Sequence, residues 1–166
     1  MTAPVFVDAS VFIYARDPRD ALKQQRAAEW IDWLWQQRAG RTSMQVLAEF
    51  YAMVTGPLRL DQDTAWDEVK RYLAWTPLPT DEALLRGARE VERRYKLSWW
   101  NSLAVAAAQL QDCAVLASED LEDGMSFGML KVRNPFTSVL EEPPATYLVQ
   151  AVPLHRPRGR PRRVAA

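Results

Sequence analysis

Histidine and cysteine each occur once in the 166 residues, as His155 and Cys113. His155 sits in a stretch rich in proline and arginine, outside any expected core. Ser-His-Asp triads, Cys-His pairs and paired-histidine nucleases need a positioned imidazole, so none is expected. Zinc sites built from His and Cys lack ligands. One cysteine cannot close an internal disulfide, which points to a reducing, cytoplasmic location. Placed between a helix and a strand, Cys113 reads as a buried structural thiol. No apolar run approaches the roughly 20 residues that span a bilayer, so no membrane segment is expected. The opening Met1-Thr2-Ala3-Pro4 has no basic region of a secretory signal. Acids are missing from residues 151–166, which carry Arg156, Arg158, Arg160, Arg162 and Arg163. Subtracting that +5 from a total of zero leaves −5 on residues 1–150. An acidic body with a basic tail is unusual for a protein that meets a polyanion with its body alone.

The rest of the composition is ordinary for a soluble domain, at 48% hydrophobic and 25% charged residues. The length fits one domain with a sizeable core. Residues 4–8 read as a buried strand ending at Asp8, and Ser10 stands where the chain turns into a helix that Asp17-Pro18 breaks. Residues 20–37 form an amphipathic helix with Ala27, Trp30, Ile31 and Leu34 on one face. Arg41-Thr42-Ser43 reads as a short strand, with Ser43 capping a helix over 44–55 that Gly56-Pro57 stops. A helix over 62–73 starts from Asp61 or Asp63. The proline-bearing piece 75–79 is an edge strand at best. Thr80, followed by Asp81-Glu82, caps a helix over 81–95. Ser98 caps a helix over 99–112. Residues 114–117 and 128–132 are the last strands. Short apolar strands alternating with longer helices predict an α/β fold, a parallel sheet flanked by helices. Residues 137–166 hold five prolines and no periodicity, and read as a tail that is partly disordered or ordered only on a partner.

Four polar residues stand at the edges of apolar segments: Asp8 after Val5-Phe6-Val7, Glu49 within Val46–Tyr51, Asn101 before Leu103–Ala108, and Asp120 after Ala114–Ala117. Sites in open α/β sheets form at the carboxyl ends of strands, where Asp8 and Asp120 fall. Clustered carboxylates repel one another and resist ionisation. A hard cation such as Mg²⁺ or Mn²⁺ relieves that repulsion, activates water and stabilises charge on a phosphate. Glu49, beside Val46, Ala52 and Met53 on a helix, needs either a metal or a salt bridge, to Arg41 or Arg59 for example. Asp8 alone reads equally as a helix cap. Asp120 alone reads as one acid of a solvated loop, Ser118–Asp123.

The ordered segments Phe6-Val7-Asp8-Ala9-Ser10-Val11-Phe12-Ile13-Tyr14, Gln45-Val46-Leu47-Ala48-Glu49-Phe50, Leu97-Ser98-Trp99-Trp100-Asn101-Ser102 continuing to Ala108, and Val115-Leu116-Ala117-Ser118-Glu119-Asp120-Leu121, closed by Val132-Arg133-Asn134-Pro135-Phe136, carry a resemblance. Over residues 4–136 the chain resembles the PIN-domain ribonucleases, in particular the VapC-type toxins of bacterial toxin–antitoxin pairs. The resemblance implies a flavodoxin-like PIN domain over 1–136. It also implies Mg²⁺- or Mn²⁺-dependent endoribonuclease activity on structured RNA of the tRNA or rRNA class, a homodimer, and a VapB-type antitoxin that inserts a segment into the acidic groove. By position, Asp8, Glu49 and Asp120 match the family's acids, with Asp8, Asp120 and position 101 as metal ligands. Ser10 matches its small polar residue, and Asp123 an auxiliary acid. Asn101 stands where the family has Asp. Its carbonyl can ligate, but it brings no charge and cannot act as a base. Metal affinity and turnover are therefore expected to be reduced, unless Asn101 is simply a first-turn helix residue in a chain that has left catalysis.

Trp99-Trp100 reads as base-stacking residues or, more often for such aromatics, as core or dimer contact. The tail arginines read as an RNA-phosphate or acidic-partner contact, or as plain solubility. Two other functions compete. A haloacid-dehalogenase-like phosphatase wants a second aspartate two residues after the first, where Ser10 stands. A receiver domain wants a strand-end Asp with a later strand-end Lys, and no such pair is evident. A non-catalytic protein of the same fold that binds RNA or an antitoxin is the remaining alternative.

Overall fold

The computed structural model describes residues 2–137. The five tail arginines and His155 lie outside the described residues. The elements run β1 (Val5–Val7), α1 (Ala9–Tyr14), α2 (Ala21–Gln37), β2 (Gly40–Arg41), α3 (Met44–Thr55), α4 (Gln62–Leu73), α5 (Glu82–Tyr95), α6 (Trp99–Leu110), β3 (Val115–Ala117), β4 (Ser126–Phe127) and β5 (Leu130–Arg133). The strands form one sheet in the order β2-β1-β3-β5-β4. β1 is parallel to β2 and β3, and β3 is parallel to β5. The expected α/β fold with a helix-flanked sheet is the one observed.

The central strands are uninterrupted apolar runs because both faces are covered: every residue of Val5–Val7 and Val115–Ala117 is buried. β5 alternates instead, with Leu130 and Val132 buried and Lys131 exposed. Its partner β4 is antiparallel, pairing Phe127 with Leu130 and Ser126 with Lys131. The sheet is therefore mixed, and the last strand begins at Leu130 rather than at Gly128. Gly128 and Met129 form the hairpin turn, with Gly128 at φ +62° and Met129 almost wholly exposed. A two-residue strand carries too little periodicity to be read from sequence.

Each long helix starts on a side chain that accepts the N–H of the third residue onward: Asp20 for α2, Ser43 for α3, Asp61 for α4, Asp81 for α5 and Ser98 for α6. Asp81, not Thr80, caps α5. Its carboxylate accepts from Leu84 N–H at 3.0 Å and adds a negative charge at the positive helix end. The strand expected over 41–43 is displaced by one residue to Gly40–Arg41. Ser43 instead makes a lone parallel bridge to Leu78, all that remains of the extended piece 75–79. Cys113 is buried and its thiol is pushed up to about 12 by desolvation, as a structural thiol would be.

Phe12 of α1 anchors an aromatic cluster that joins α1, α3 and α4. Its ring centroid lies 6.1 Å from Phe50, 4.5 Å from Tyr72 and 5.9 Å from Trp75. Trp75 also lies across the start of β2. A Cβ placed on Gly40 would stand 2.4 Å from the Trp75 ring, so only glycine admits that approach. Gly40→Ala should therefore cost about 1–3 kcal/mol in urea unfolding, through displacement of Trp75 from the cluster.

Candidate active site between β1 and β3

After β1 the chain goes to β2 on one side of it, and later returns to β3 on the other side. The carboxyl ends of β1 and β3 therefore flank a topological switch point, where open α/β sheets form their crevices. The register pairs Val7 with Ala117, so the next residues, Asp8 and Ser118, come level with each other.

Asp8 is buried and caps α1. One carboxylate oxygen, Oδ1, accepts from Ala9 N–H at 2.8 Å, and Oδ2 accepts from Ser118 Oγ at 2.8 Å. Ser118 Oγ in turn accepts from Asp120 N–H at 3.1 Å, while Ser118 N–H donates to Arg133 O at 3.0 Å. One hydroxyl thus ties the acid after β1 to the backbone of the acid after β3. Burial pushes the Asp8 carboxyl above its ordinary value. The bonds from Ser118 and Ala9 oppose that shift, and the Asp120 charge adds to it.

Asp120 is exposed, yet its carboxyl is raised by partial desolvation and then by Glu119. Glu49 lies on the outer side of α3, whose buried residues are Val46, Leu47, Phe50 and Val54. Its carboxyl is raised first by desolvation, then by the charges of Asp8 and Asp120. Among the described residues it has no ion pair. Arg41 donates instead to the carbonyls of Gly40, at 2.8 Å, and Arg38, at 3.4 Å. The salt-bridge account of Glu49 therefore fails for Arg41 and Arg59. The face it was expected to share with Ala52 and Met53 is exposed. Folding brings Asp8, Glu49 and Asp120 within range of one another's charge.

The other expected residues fall less simply. Ser10 Oγ accepts from Glu119 N–H at 3.4 Å, which ties α1 to the loop after β3 rather than touching Asp8. Asp123 faces β5: Oδ1 accepts from Asn134 N–H at 2.9 Å and Oδ2 lies 3.8 Å from Arg133 Nη1. Its charge is not among those that shift Asp8, Glu49 or Asp120. Asn101 is the third residue of α6, partly buried, with its N–H donating to Ser98 Oγ at 3.2 Å. Its amide makes no hydrogen bond to the three acids among the described residues. α6 packs against β1 and β3 and enters β3 through a short turn. Helix and strand then run antiparallel, which sets Asn101 toward the carboxyl ends of the strands.

Ser118 was not anticipated, nor was Lys23, which forms an ion pair with Glu119. Lys23 Nζ also donates to the Tyr14 hydroxyl at 3.3 Å and lies 4.3 Å from the centre of that ring. Ser118 had a signal: it leaves β3 just as Asp8 leaves β1. Lys23 had none, being 96 residues from Glu119.

All donors at the switch point are hard oxygens. Among the described residues no three His, Cys, Asp or Glu side chains stand close enough to share one metal ion. Three acids raised chiefly by desolvation, with Asp120 acting on Asp8 and both of these on Glu49, suit a hard cation that keeps much of its water and takes one or two carboxylates. In donor chemistry the residues therefore fit Mg²⁺ or Mn²⁺, with Asp8 and Asp120 as the carboxylates.

Two outcomes follow. Glu49 has a raised pKa, so its ionised form is disfavoured in the fold. That cost is complete above the folded-state pKa and disappears below the ordinary value of 4.5. Glu49→Gln should raise the metal-free melting temperature at pH 7 by up to about 2 °C, and the gain should vanish near pH 4. Ser118→Ala removes a donor from buried Asp8 and an acceptor from Asp120 N–H. It should cost about 1–3 kcal/mol and move the Asp8 titration, followed by carboxyl NMR, to still higher pH.

Residues 5–122 match the model of the PIN domain family. No curated protein matches the chain in sequence. The fold is similar to the crystal structure of Mycobacterium tuberculosis VapC20, described as a sarcin–ricin loop cleaving toxin. That similarity has a TM-score of 0.51 and 18% identity over 68% of this chain and 86% of that one. The family model spans most of the chain and covers Asp8, Glu49, Asn101 and Asp120, and the chain belongs to the PIN domain family.

Proposed function

We propose that the protein is a metal-dependent endoribonuclease of the VapC toxin type, with activity lowered by Asn101. The observation that carries this reading is the group Asp8, Glu49 and Asp120 at the β1–β3 switch point. Each carboxyl there is raised above its ordinary value, chiefly by desolvation, and Glu49 then by the charges of the other two acids. Asp8 and Asp120 would hold Mg²⁺ or Mn²⁺, with the Asn101 carbonyl as a neutral third donor. When bound, the cation supplies an activated water and charge stabilisation at the scissile phosphate. Ser118 keeps the Asp8 carboxylate oriented through its 2.8 Å bond. Glu49 is exposed and has no ion-pair partner among the described residues, and it is the carboxylate free to hold a proton at its oxygen. Asn101 cannot take a proton and adds no negative charge, so both metal affinity and turnover fall.

The substrate would be structured RNA of the tRNA or rRNA class, in keeping with the loop-cleaving description of VapC20. A VapB-type antitoxin, a homodimer and a cytoplasmic setting belong to the same reading, as does the division into a nuclease domain over 1–136 and a basic tail. In a second reading, favoured by the neutral Asn101, the chain binds RNA or an antitoxin without cleaving.

Purified protein incubated with total RNA and Mn²⁺ separates the two. Asn101→Asp should raise cleavage by at least about tenfold, and Asp8→Asn should abolish it. In parallel, calorimetric titration should show tighter Mn²⁺ binding to Asn101→Asp than to the parent chain and none to Asp8→Asn. Equal cleavage and equal binding in the parent and Asn101→Asp would overturn the proposed effect of Asn101. Absence of cleavage in both would leave the binding protein. Truncation after residue 150 should weaken RNA binding and flatten its dependence on salt, since it removes five cations.

A further inference from the structure

An acidic site must draw in a polyanion, and residues 1–150 carry a net −5. Cations on the domain itself become informative for that reason. The carboxyl end of α5 borders a hollow of about 760 Å³ lined by Arg89, Glu90, Glu92, Arg93, Arg94 and Lys96, with Leu97 at its edge. Both acids there are already paired: Glu92 with Arg89 at 2.8 Å and Glu90 with Arg93 at 3.5 Å. Arg94 and Lys96 have no acid partner among the described residues. Lys96 closes α5 in the left-handed conformation, at φ +57°.

Two residues separate Lys96 from α6 and its first residues Trp99, Trp100 and Asn101. The two tryptophans divide. Trp99 packs against the core, whereas Trp100 is 67% exposed and makes no ring contact among the described residues. Exposing an indole leaves a large apolar face in water; in the chain Trp100 directly precedes Asn101 and closely follows Lys96 and Arg94, the latter with its guanidinium 5.4 Å from the Tyr95 ring. A protein-binding core would be poor in lysine. Stacking faces set among cations are the pattern of single-stranded nucleic-acid binding.

We propose that the α5–α6 corner is a binding site for unpaired RNA, in which Trp100 stacks on a base beside the scissile phosphate and Arg94 and Lys96 hold the phosphates that follow. This rests on the ribonuclease reading and deepens it by naming the side chains that would take the unpaired substrate. Flat stacking on an indole needs an unstacked base, which a helix does not offer.

The test is fluorescence anisotropy with the full chain in EDTA. The probes are a labelled oligouridylate of about eight nucleotides and an RNA duplex of similar length. Trp100→Ala should weaken oligouridylate binding by about 5- to 150-fold, and Trp100→Phe should retain most of it because the π-face remains. Arg94→Ala with Lys96→Ala should lower the slope of log K against log salt by about 1.4. The duplex should bind more weakly and respond little to Trp100→Ala. Equal oligouridylate affinity in Trp100→Ala and the parent chain would overturn the proposal. So would a Trp100→Ala effect seen only as lost self-association in sedimentation, which would make the indole a protein contact. Binding is read without cleavage. A chain that binds as expected but never cleaves supports this site and sinks the ribonuclease reading, while cleavage with variant-insensitive binding does the reverse.

Discussion

The parallel pairing of β1 with β3, Val5 to Val115 through Val7 to Ala117, governs the rest of the molecule. It places two strands that are more than a hundred residues apart side by side at the sheet centre, with both faces buried. Their carboxyl ends emerge level, so the residues that leave them, Asp8 and Ser118, meet in a hydrogen bond. A shift of one residue in that register would turn the strand's side chains over and separate the pair. The hydrophobic core and the polar site therefore depend on one constraint.

Burial at this junction has opposite effects on its two residues. Ser118 is fully buried yet satisfied, donating to Asp8 and accepting from Asp120 N–H. Asp8 is satisfied in hydrogen bonds and still has a raised pKa, because desolvation outweighs the two donors that stabilise its charge. The Asp120 charge adds to that rise. The site holds ionised acids only at a cost, which the aromatic cluster of α1, α3 and α4 and the strand core offset. That imbalance is what a divalent cation would relieve, and it links the stability of the fold to the chemistry proposed for it.

Several charges near these elements are compensated in pairs. Lys23 neutralises Glu119 beside the acids, and Arg89 and Arg93 pair with the glutamates of α5. Arg94 and Lys96, among the cations without an acid partner in the described residues, precede α6, whose first turn carries the exposed indole of Trp100 and Asn101.

Local chemistry alone determined much of the architecture. Ser43 and Ser98 cap the helices they were expected to cap, Asp61 is the one of the two offered aspartates that starts α4, and Gly56-Pro57 ends α3, because caps and breakers act within a few residues. The strands at 5–7 and 115–117 were plain from apolar runs, and the four ordered motifs around Asp8, Glu49, Asn101 and Asp120 pointed to the PIN family. What sequence could not determine lies where distant segments meet. Ser118 as the tie to Asp8, Lys23 as the partner of Glu119, and Asp123 turned away toward β5 each depend on strand order and register. Glu49 lies on the outer side of α3 because tertiary packing selected the Val46–Phe50–Val54 face for the core. The antiparallel β4 exists only because β5 is there to pair with it. Residue types and their local spacing named the acids. The β1–β3 register decided which polar group would hold the buried one, because hydrogen bonds and Coulomb forces act over ångströms in space and not along the chain.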